Sequence, residues 1–571
     1  MSAASESNWQ ELINRLMSNV QTLPILGGAA VLVSKEAYDY VIIGAGSAGC
    51  TLAARISEDS TKRVLLIEAG GSDRSPYITI PLAWGRLFGE RMFDWNYNTM
   101  PEPNLNNRVL DCARGRVIGG SSSTNAMAYG RGHPDDYDRW AEAGLDGWSY
   151  DDVLPYFRKS ESWEDGPSEF RGGDGPLTTR RGGLDDPIVE AWFAAGKRLG
   201  YPFSDDSCGA QQEGFAIPQW TVRKGRRCSA AVAYLRPALK RGNLVLVSHA
   251  IVDRIVFDGT RAVGVTYKKN GQTVTVKTSG EIILCAGAIN SPPLLQRSGI
   301  GAEDELRDIG VEPVSVLPGV GKNLQDHMSV PMEYERKGQG VFQRDLRYDR
   351  FLKMLAEGFV FGTGKTTGLP MGVQAFLKSS IAERPCDFVL LFRASAPRPL
   401  QYPPFTDPGV DGVGYRIALM QPKSRGWVKA LSTDPEAAPE ICQNFLSHPD
   451  DIKIVREGLQ LVRAMNADQD VAPHIAAEHL PGAHVQTDAE FDDFIRENAT
   501  TVHHPIGSCK MGLQTDDMAV VDRQLNVFGT TGLRVVDASV MPTIVSGPTN
   551  GPTIMLAEKA ADIIRGNTAK P

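Results

Sequence analysis

YDYVIIGAGSAGC, residues 38–50, is the stretch from which the fold can be read. Val41, Ile42 and Ile43 form the short apolar, β-branched run expected of a parallel strand buried on both faces. Gly44, Gly46 and Gly49 follow in the spacing G-x-G-x-x-G, and Thr51-Leu52-Ala53-Ala54-Arg55-Ile56 continues with helical character. Gly44 permits the tight strand-to-helix turn, Gly46 lets a pyrophosphate approach the backbone, and Gly49 lets helix and strand pack closely. Phosphates would then rest at the positive end of the helix dipole. In a chain of 58 glycines such a spacing arises by chance, so context decides. Arg63 to Ile67 (RVLLI) supplies the second strand, and Glu68 ends it where a carboxylate accepts hydrogen bonds from an adenosine ribose. A glutamate there also repels a 2′-phosphate, which argues against NADP. The expected ligand carries an ADP moiety.

At 571 residues the chain exceeds one ordinary core, so two domains are expected. Its composition, 42% hydrophobic and 22% charged, is that of a globular protein. The net charge of −8 gives no basic footprint for nucleic acid. Eight scattered cysteines without a C-x-x-C pair fit reduced, buried thiols better than a disulfide framework, and no metal site is expected. Within residues 1–35, Trp9, Leu12, Ile13, Leu16, Met17 and Val20 draw one apolar helical stripe. Without a basic leader this is not the pattern of a secretory signal. Residues 8–33 are expected to clamp onto the protein's own surface or a neighbouring subunit, with shallow docking at a membrane as the second option. The expected location is cytoplasmic, including a peripheral place on the inner face of a membrane.

Residues 71–110 are turn-rich but interleaved with Tyr77, Trp84, Phe88, Phe93, Trp95 and Tyr97, a composition that suits a lid or cofactor cover and equally an ordinary packed excursion. Then comes ARGRVIGGSSSTNAMAYGRG, 113–132, whose Gly119-Gly120-Ser121-Ser122-Ser123 offers unhindered N–H groups and small hydroxyls. With the opening fingerprint, this cluster resembles the glucose–methanol–choline family of FAD-dependent oxidoreductases. GAINSPPLLQRSGIG (287–301), GVGKNLQDH (319–327), TVHHPIGSCKMG (501–512) and LRVVDASVMPTIVSGPTNGPTIMLAEKAADII (533–564) extend the likeness in order along roughly 38–567.

The resemblance implies FAD. Gly44, Gly46, Ser47, Ala48, Gly49, Glu68 and Ala69 would hold its ADP half. Val117, Gly120, Ser121 and Asn125, Ala126, Met127 and Ala128 would meet the flavin half, with Val252 near the adenine and Asp537 and Ala538 along the ribityl chain and pyrophosphate. Relatives that bind flavin covalently carry histidine where this chain has Thr124, so the FAD is expected to be non-covalent. The implied fold class is α/β, a Rossmann-like FAD-binding domain (36–150, 215–327 and 499–571) with a discontinuous substrate domain built on an antiparallel sheet (151–214 and 328–498). DFVLLFRASA (387–396), YRIALMQP (415–422) and WVKAL (427–431) read as strands of that sheet. The Pro/Gly-rich 401–412 reads as a loop bordering the entrance, and 359–376 as a cavity lining that includes Met371 and Phe376.

Oxidising an alcohol requires a base for the hydroxyl proton and a group that orients the oxygen. Histidine suits the first task because its unperturbed pKa lies near operating pH. His503 and His504 are adjacent, and Pro505 restrains the backbone at His504. Composition alone favours reading them as a structural or solvated pair. By resemblance, the histidine before the proline is the base, so His504 takes that role. Asn550 is its partner, its amide able to donate to the substrate oxygen; His503 is expected to shape the pocket. A light-driven fatty-acid decarboxylase of the same fold family lacks this His-Pro and Asn pair, which argues against that chemistry here. The expected activity is oxidation of a small-molecule alcohol by hydride transfer to FAD, with an acceptor of quinone type rather than dioxygen. An alcohol oxidase producing hydrogen peroxide is the alternative.

Overall fold

In the computed structural model, which describes residues 38–567 apart from Arg398, the opening strand Tyr38–Ile43 lies inside a seven-stranded sheet. The expectations placed on residues 1–35 lie outside the described residues. Tyr38–Ile43 pairs in parallel with Val64–Ile67 on one side and with Gln272–Leu284 on the other. Leu244–Val247 extends the parallel order beyond Val64–Ile67, and Leu533–Val535 lies beside the end of Gln272–Leu284. Val41, Leu66 and Ile283 are wholly buried, as expected where helices or chain cover both faces. Gln272–Leu284 is long because it does two jobs. Its last residues join the parallel core, while its first half pairs antiparallel with Arg261–Lys269, which in turn pairs with Ile251–Asp258.

The helix Ser47–Ile56 leaves the opening strand and packs against the last helix, Asn550–Arg565. Arg55 donates through Nε and Nη2 to the buried Glu558 at 2.8 and 2.9 Å, and the Tyr234 hydroxyl donates to the same carboxylate at 2.8 Å. A buried carboxylate needs this number of donors to offset its desolvation. The helix after the fingerprint and the last described helix are thereby fixed side by side.

A second seven-stranded sheet, all antiparallel, runs in the order Ile475–Leu480, Met328–Arg336, Gly412–Leu419, Phe388–Arg393, Met371–Leu377, Gly214–Ala216, with Thr500–Thr501 beside Met328–Arg336. One face packs Val330, Ala375, Leu390 and Ile417 into a core with the helices Pro187–Arg198 and Pro449–Asn466, which contribute Trp192, Val455 and Leu459. The other face carries Gln374, Phe376, Val389, Leu391 and Ala418 toward the cavity described below. Two of the three strands read in this region lie in the sheet. The third, Trp427–Lys429, instead forms a two-stranded ribbon with Glu440–Cys442. Its Val428 N–H donates to the Gly321 carbonyl at 2.7 Å and its side chain packs with Leu324 and Ile441, so the loop at 319–327 recruits it away. No described helix is long and apolar enough to cross a membrane.

Candidate active site

A cavity of about 390 Å³ runs from the fingerprint to the inner face of the second sheet. At one end lie Gly44, Gly46, Ser47, Ala48, Glu68, Ala69 and Val252. Gly44 sits at φ +99°, and a Cβ there would fall 2.5 Å from the Cys285 carbonyl oxygen, so only glycine makes this turn. Gly46 faces open space, as a phosphate cradle requires, and the helix it caps has no side-chain cap to engage its first N–H groups. The Glu68 carboxylate accepts from Ala45 N at 2.8 Å and Gly70 N at 2.7 Å, and burial pushes its pKa up to about 7. Two bonds leave a carboxylate with lone pairs to spare for ribose hydroxyls.

The two glycine clusters meet directly. Gly119 N donates to the Ala45 carbonyl at 2.7 Å, and Gly120 lies so close that a Cβ on it would be 2.7 Å from Gly46 Cα. Gly120, Ser121, Thr124, Asn125, Ala126 and Ala128 line the middle of the cavity, with Asp537 and Ala538 on the other wall. Asp537 accepts from Gly287 N, Ser291 Oγ and Ser539 N at 2.8, 2.6 and 2.8 Å, which ties its own turn to the helix Gly287–Arg297. Gly49, Val117 and Met127 stand behind the lining. Gly49 packs on the Gly44 carbonyl, Val117 joins a cluster with Ile78 and Leu87, and Met127 packs with Trp220 and Val222. The cover read at 71–110 contributes Trp84, Phe88, Trp95 and Tyr97, while the 401–412 loop contributes no lining residue.

At the far end His503 and His504 share the cavity with Met371 and Phe376, and Asn550 lines the same cavity from beside the fingerprint. Asn550 is the first residue of the last helix, and its Oδ1 accepts from Ser47 Oγ at 2.7 Å, so the fingerprint itself orients the amide. His504 is held from both sides. Its backbone N–H donates to Asp326 Oδ1 at 2.7 Å, and its Nδ1 lies 2.9 Å from Nδ1 of His327. Asp326 also accepts from Thr501 Oγ1 and Gln443 Nε2 at 2.6 and 3.1 Å, and burial pushes its pKa up to about 6. Burial, then His327, Arg114 and His503, holds the His504 pKa well below the ordinary histidine range. Burial lowers His327 to about 3, and burial with the guanidinium of Arg114 lowers His503 to about 3. His503 adopts φ +65°, sets its ring edge against Phe88 at 5.2 Å, and passes its carbonyl to Arg114 Nη2 at 2.8 Å. Such a backbone in a non-glycine residue persists only where its surroundings fix it.

The sequence reading assigned no role to His327 or Asp326, although both end the motif GVGKNLQDH; an adjacent Asp-His pair was the available signal. It also passed over Arg227, which is fully buried and donates through Nη1 to the Asn125 carbonyl and Oδ1 at 2.6 and 2.8 Å, pinning the loop that lines the cavity. With no acidic partner to offset its burial, its pKa falls to about 9.

A nucleotide cradle with the second glycine cluster and Asn550 against it, and His503 and His504 at the far end, fit FAD laid along the cavity. Residues 38–329 and 422–557 match the two family profiles described as GMC oxidoreductase. The chain is 42% identical over 566 residues to choline dehydrogenase, mitochondrial, of Mus musculus, covering 96% of this chain and 93% of that one. It is 44% identical over 537 residues to the oxygen-dependent choline dehydrogenase of Stenotrophomonas maltophilia, covering 93% and 95%. Among solved structures it resembles pyridoxine 4-oxidase from Mesorbium loti (TM-score 0.81, 32% identity, 92% and 98% covered). It also resembles a variant of the Aspergillus oryzae RIB40 formate oxidase (TM-score 0.84, 27% identity, 93% and 98% covered). The glycine fingerprint at one end of the chain and the His-Pro and Asn motifs at the other are thus parts of one family pattern, and the chain belongs to the GMC oxidoreductases, FAD-dependent enzymes acting on CH–OH donors.

Proposed function

We propose that this protein oxidises a primary or secondary alcohol to the aldehyde or ketone, with His504 as the base and Asn550 orienting the substrate oxygen. One observation carries the reading: the His504 and Asn550 side chains share a single cavity with the nucleotide cradle, and each is fixed by a hydrogen bond. Bound FAD supplies the acceptor for the hydride. The protein's own groups handle the proton and the geometry.

The imidazole pair sets which nitrogen of His504 is basic. His327 is fully buried, and the backbone of Met420 and Val545 lies against its ring and favours a proton there, although Nε2 makes no full hydrogen bond. With that proton on Nε2, His327 Nδ1 is the acceptor, and His504 Nδ1–H donates to it across 2.9 Å. His504 Nε2 is then unprotonated and free to take the hydroxyl proton. Its low pKa keeps the ring neutral at ordinary pH, so the base is ready without prior deprotonation. Asn550, its oxygen engaged by Ser47, keeps its NH₂ for the substrate oxygen.

Thr124 lines the cavity at the position where covalently flavinylated relatives carry histidine, and a hydroxyl forms no such bond, so FAD is held non-covalently. Acid precipitation should release it into the supernatant. The acceptor is of quinone type, in keeping with the mitochondrial relative named choline dehydrogenase, while the bacterial relative named oxygen-dependent keeps the oxidase as the alternative. An anaerobic screen of primary, aryl and polyol alcohols should bleach the flavin, and admitting air should restore its colour only slowly. Bleaching by no alcohol would sink the activity, and rapid reoxidation with hydrogen peroxide would replace the dehydrogenase by an oxidase.

A further inference from the structure

The chemistry of the cavity's far end says what kind of alcohol it takes. The second sheet presents Phe376, Val389, Leu391 and Ala418 there, with Met371 and Met420 beside them, and Gln374 is the polar exception. Two apolar clusters flank this end, one around Phe376 and Met420, the other around Trp220 with Met371 and Trp84. Among the described residues three carboxylates line the cavity, and each is engaged elsewhere. Glu68 binds backbone N–H groups at the fingerprint, Asp537 is tied to Gly287, Ser291 and Ser539, and Asp94 is paired with Arg91 at 3.2 Å. Glu333, also on the second sheet, is not a lining residue and takes two bonds from Arg393 Nη2 at 2.9 Å. Arg114, Arg416 and Arg91 all act on His503, while the carboxylates nearest the histidine pair, Asp326 on the His504 N–H and Asp111 at 3.6 Å from His503 Nε2, do not line the cavity.

Resting on the reading of this site as an alcohol oxidoreductase, we propose that its substrate is an uncharged, largely apolar alcohol and that it discriminates against quaternary ammonium alcohols. A cation entering this end would lose its hydration with no carboxylate to replace it and would face guanidinium groups. Trp84 and Phe88 stack on each other, with centroids 5.4 Å apart, so one face of each is closed to a cation. An alkyl or aryl chain meets none of these penalties and buries its surface against the sheet.

Choline and its neutral carbon isostere, 3,3-dimethylbutan-1-ol, have the same shape and differ in charge, so they isolate the effect. Binding of each to the FAD-loaded His504→Ala protein is measured by calorimetry, and anaerobic flavin reduction by each is measured in the parent. The neutral alcohol should bind the variant at least about tenfold more tightly and reduce the parent's flavin with the higher kcat/KM. Gln374→Glu, which sets a carboxylate on the sheet's cavity face, should narrow or reverse the ratio in favour of choline. Equal or tighter binding of choline, or no binding of the neutral alcohol, overturns the proposal. Selective binding of the neutral alcohol without flavin reduction by any alcohol would leave the selectivity standing and sink the oxidoreductase reading instead.

Discussion

The two large sheets are built on opposite rules. In the first, parallel strands such as Val64–Ile67 are buried throughout, and Tyr38–Ile43 runs directly into Gly44, because helices cover the sheet and a nucleotide must come close to its backbone. In the second, antiparallel strands bury one face in a core and turn the other to the substrate cavity, so that face is free to vary with the substrate. Backbone approach constrains the cofactor side, where an atom added at Gly44, Gly49 or Gly120 collides. Side-chain chemistry constrains the substrate side, where atoms can be exchanged.

Changes on the two sides should therefore fail differently. The largest effect is expected at Gly49, where a Cβ would lie 1.8 Å from the Gly44 carbonyl oxygen; Gly49→Val should yield protein without FAD, read from the flavin-to-protein absorbance ratio. Retention of full FAD content would break the comparison at its stronger end. His327→Ala removes the acceptor for His504 Nδ1–H while leaving the cradle intact, and loss of such an orienting partner typically costs about 10–100-fold. It should lower kcat with FAD content unchanged and displace the acid limb of the pH profile; a change confined to thermal stability would show that His327 is only structural. In the parent, that limb should fall below the ordinary histidine value of about 6.5, because the folded His504 pKa is depressed.

A smaller effect concerns stability. His327, His503 and His504 all have depressed pKa values in the fold, so below about pH 6.5 the unfolded chain binds protons that the folded chain does not. Their contribution is fully present above that pH and is lost as pH falls. Each should cost on the order of 1–2 kcal/mol by pH 5, measurable as a drop in Tm that His503→Phe partly relieves. The smallest change is expected on the substrate side, where Leu391→Ala should alter KM a few-fold, about what a lost apolar contact gives, while kcat and FAD content hold.

These rules also govern what can be read from the sequence. VII at 41–43 and the glycines after it are visible because burial on both sides and backbone approach leave few residue choices. FVLLFR at 388–393 is ambiguous for a physical reason. Phe388, Leu390 and Phe392 enter the core while Val389 and Leu391 face an apolar cavity, so the alternation that would mark a half-buried strand is erased. His504 and Asn550 were legible through their motifs. His327 was not, since its role exists only when a residue 177 positions away is brought to 2.9 Å. The same holds for Arg227, whose partners at Asn125 lie 102 positions back.

The base assignment is the claim on which the activity rests, and anaerobic reduction of the flavin by an alcohol substrate, followed in the parent and in His504→Ala at equal FAD content, tests it most directly. The variant should retain FAD and be reduced about 10²–10⁴-fold more slowly, the range for loss of a general base, with the deficit shrinking as pH rises and the alkoxide becomes available. Reduction of the variant at the parent rate would contradict the account.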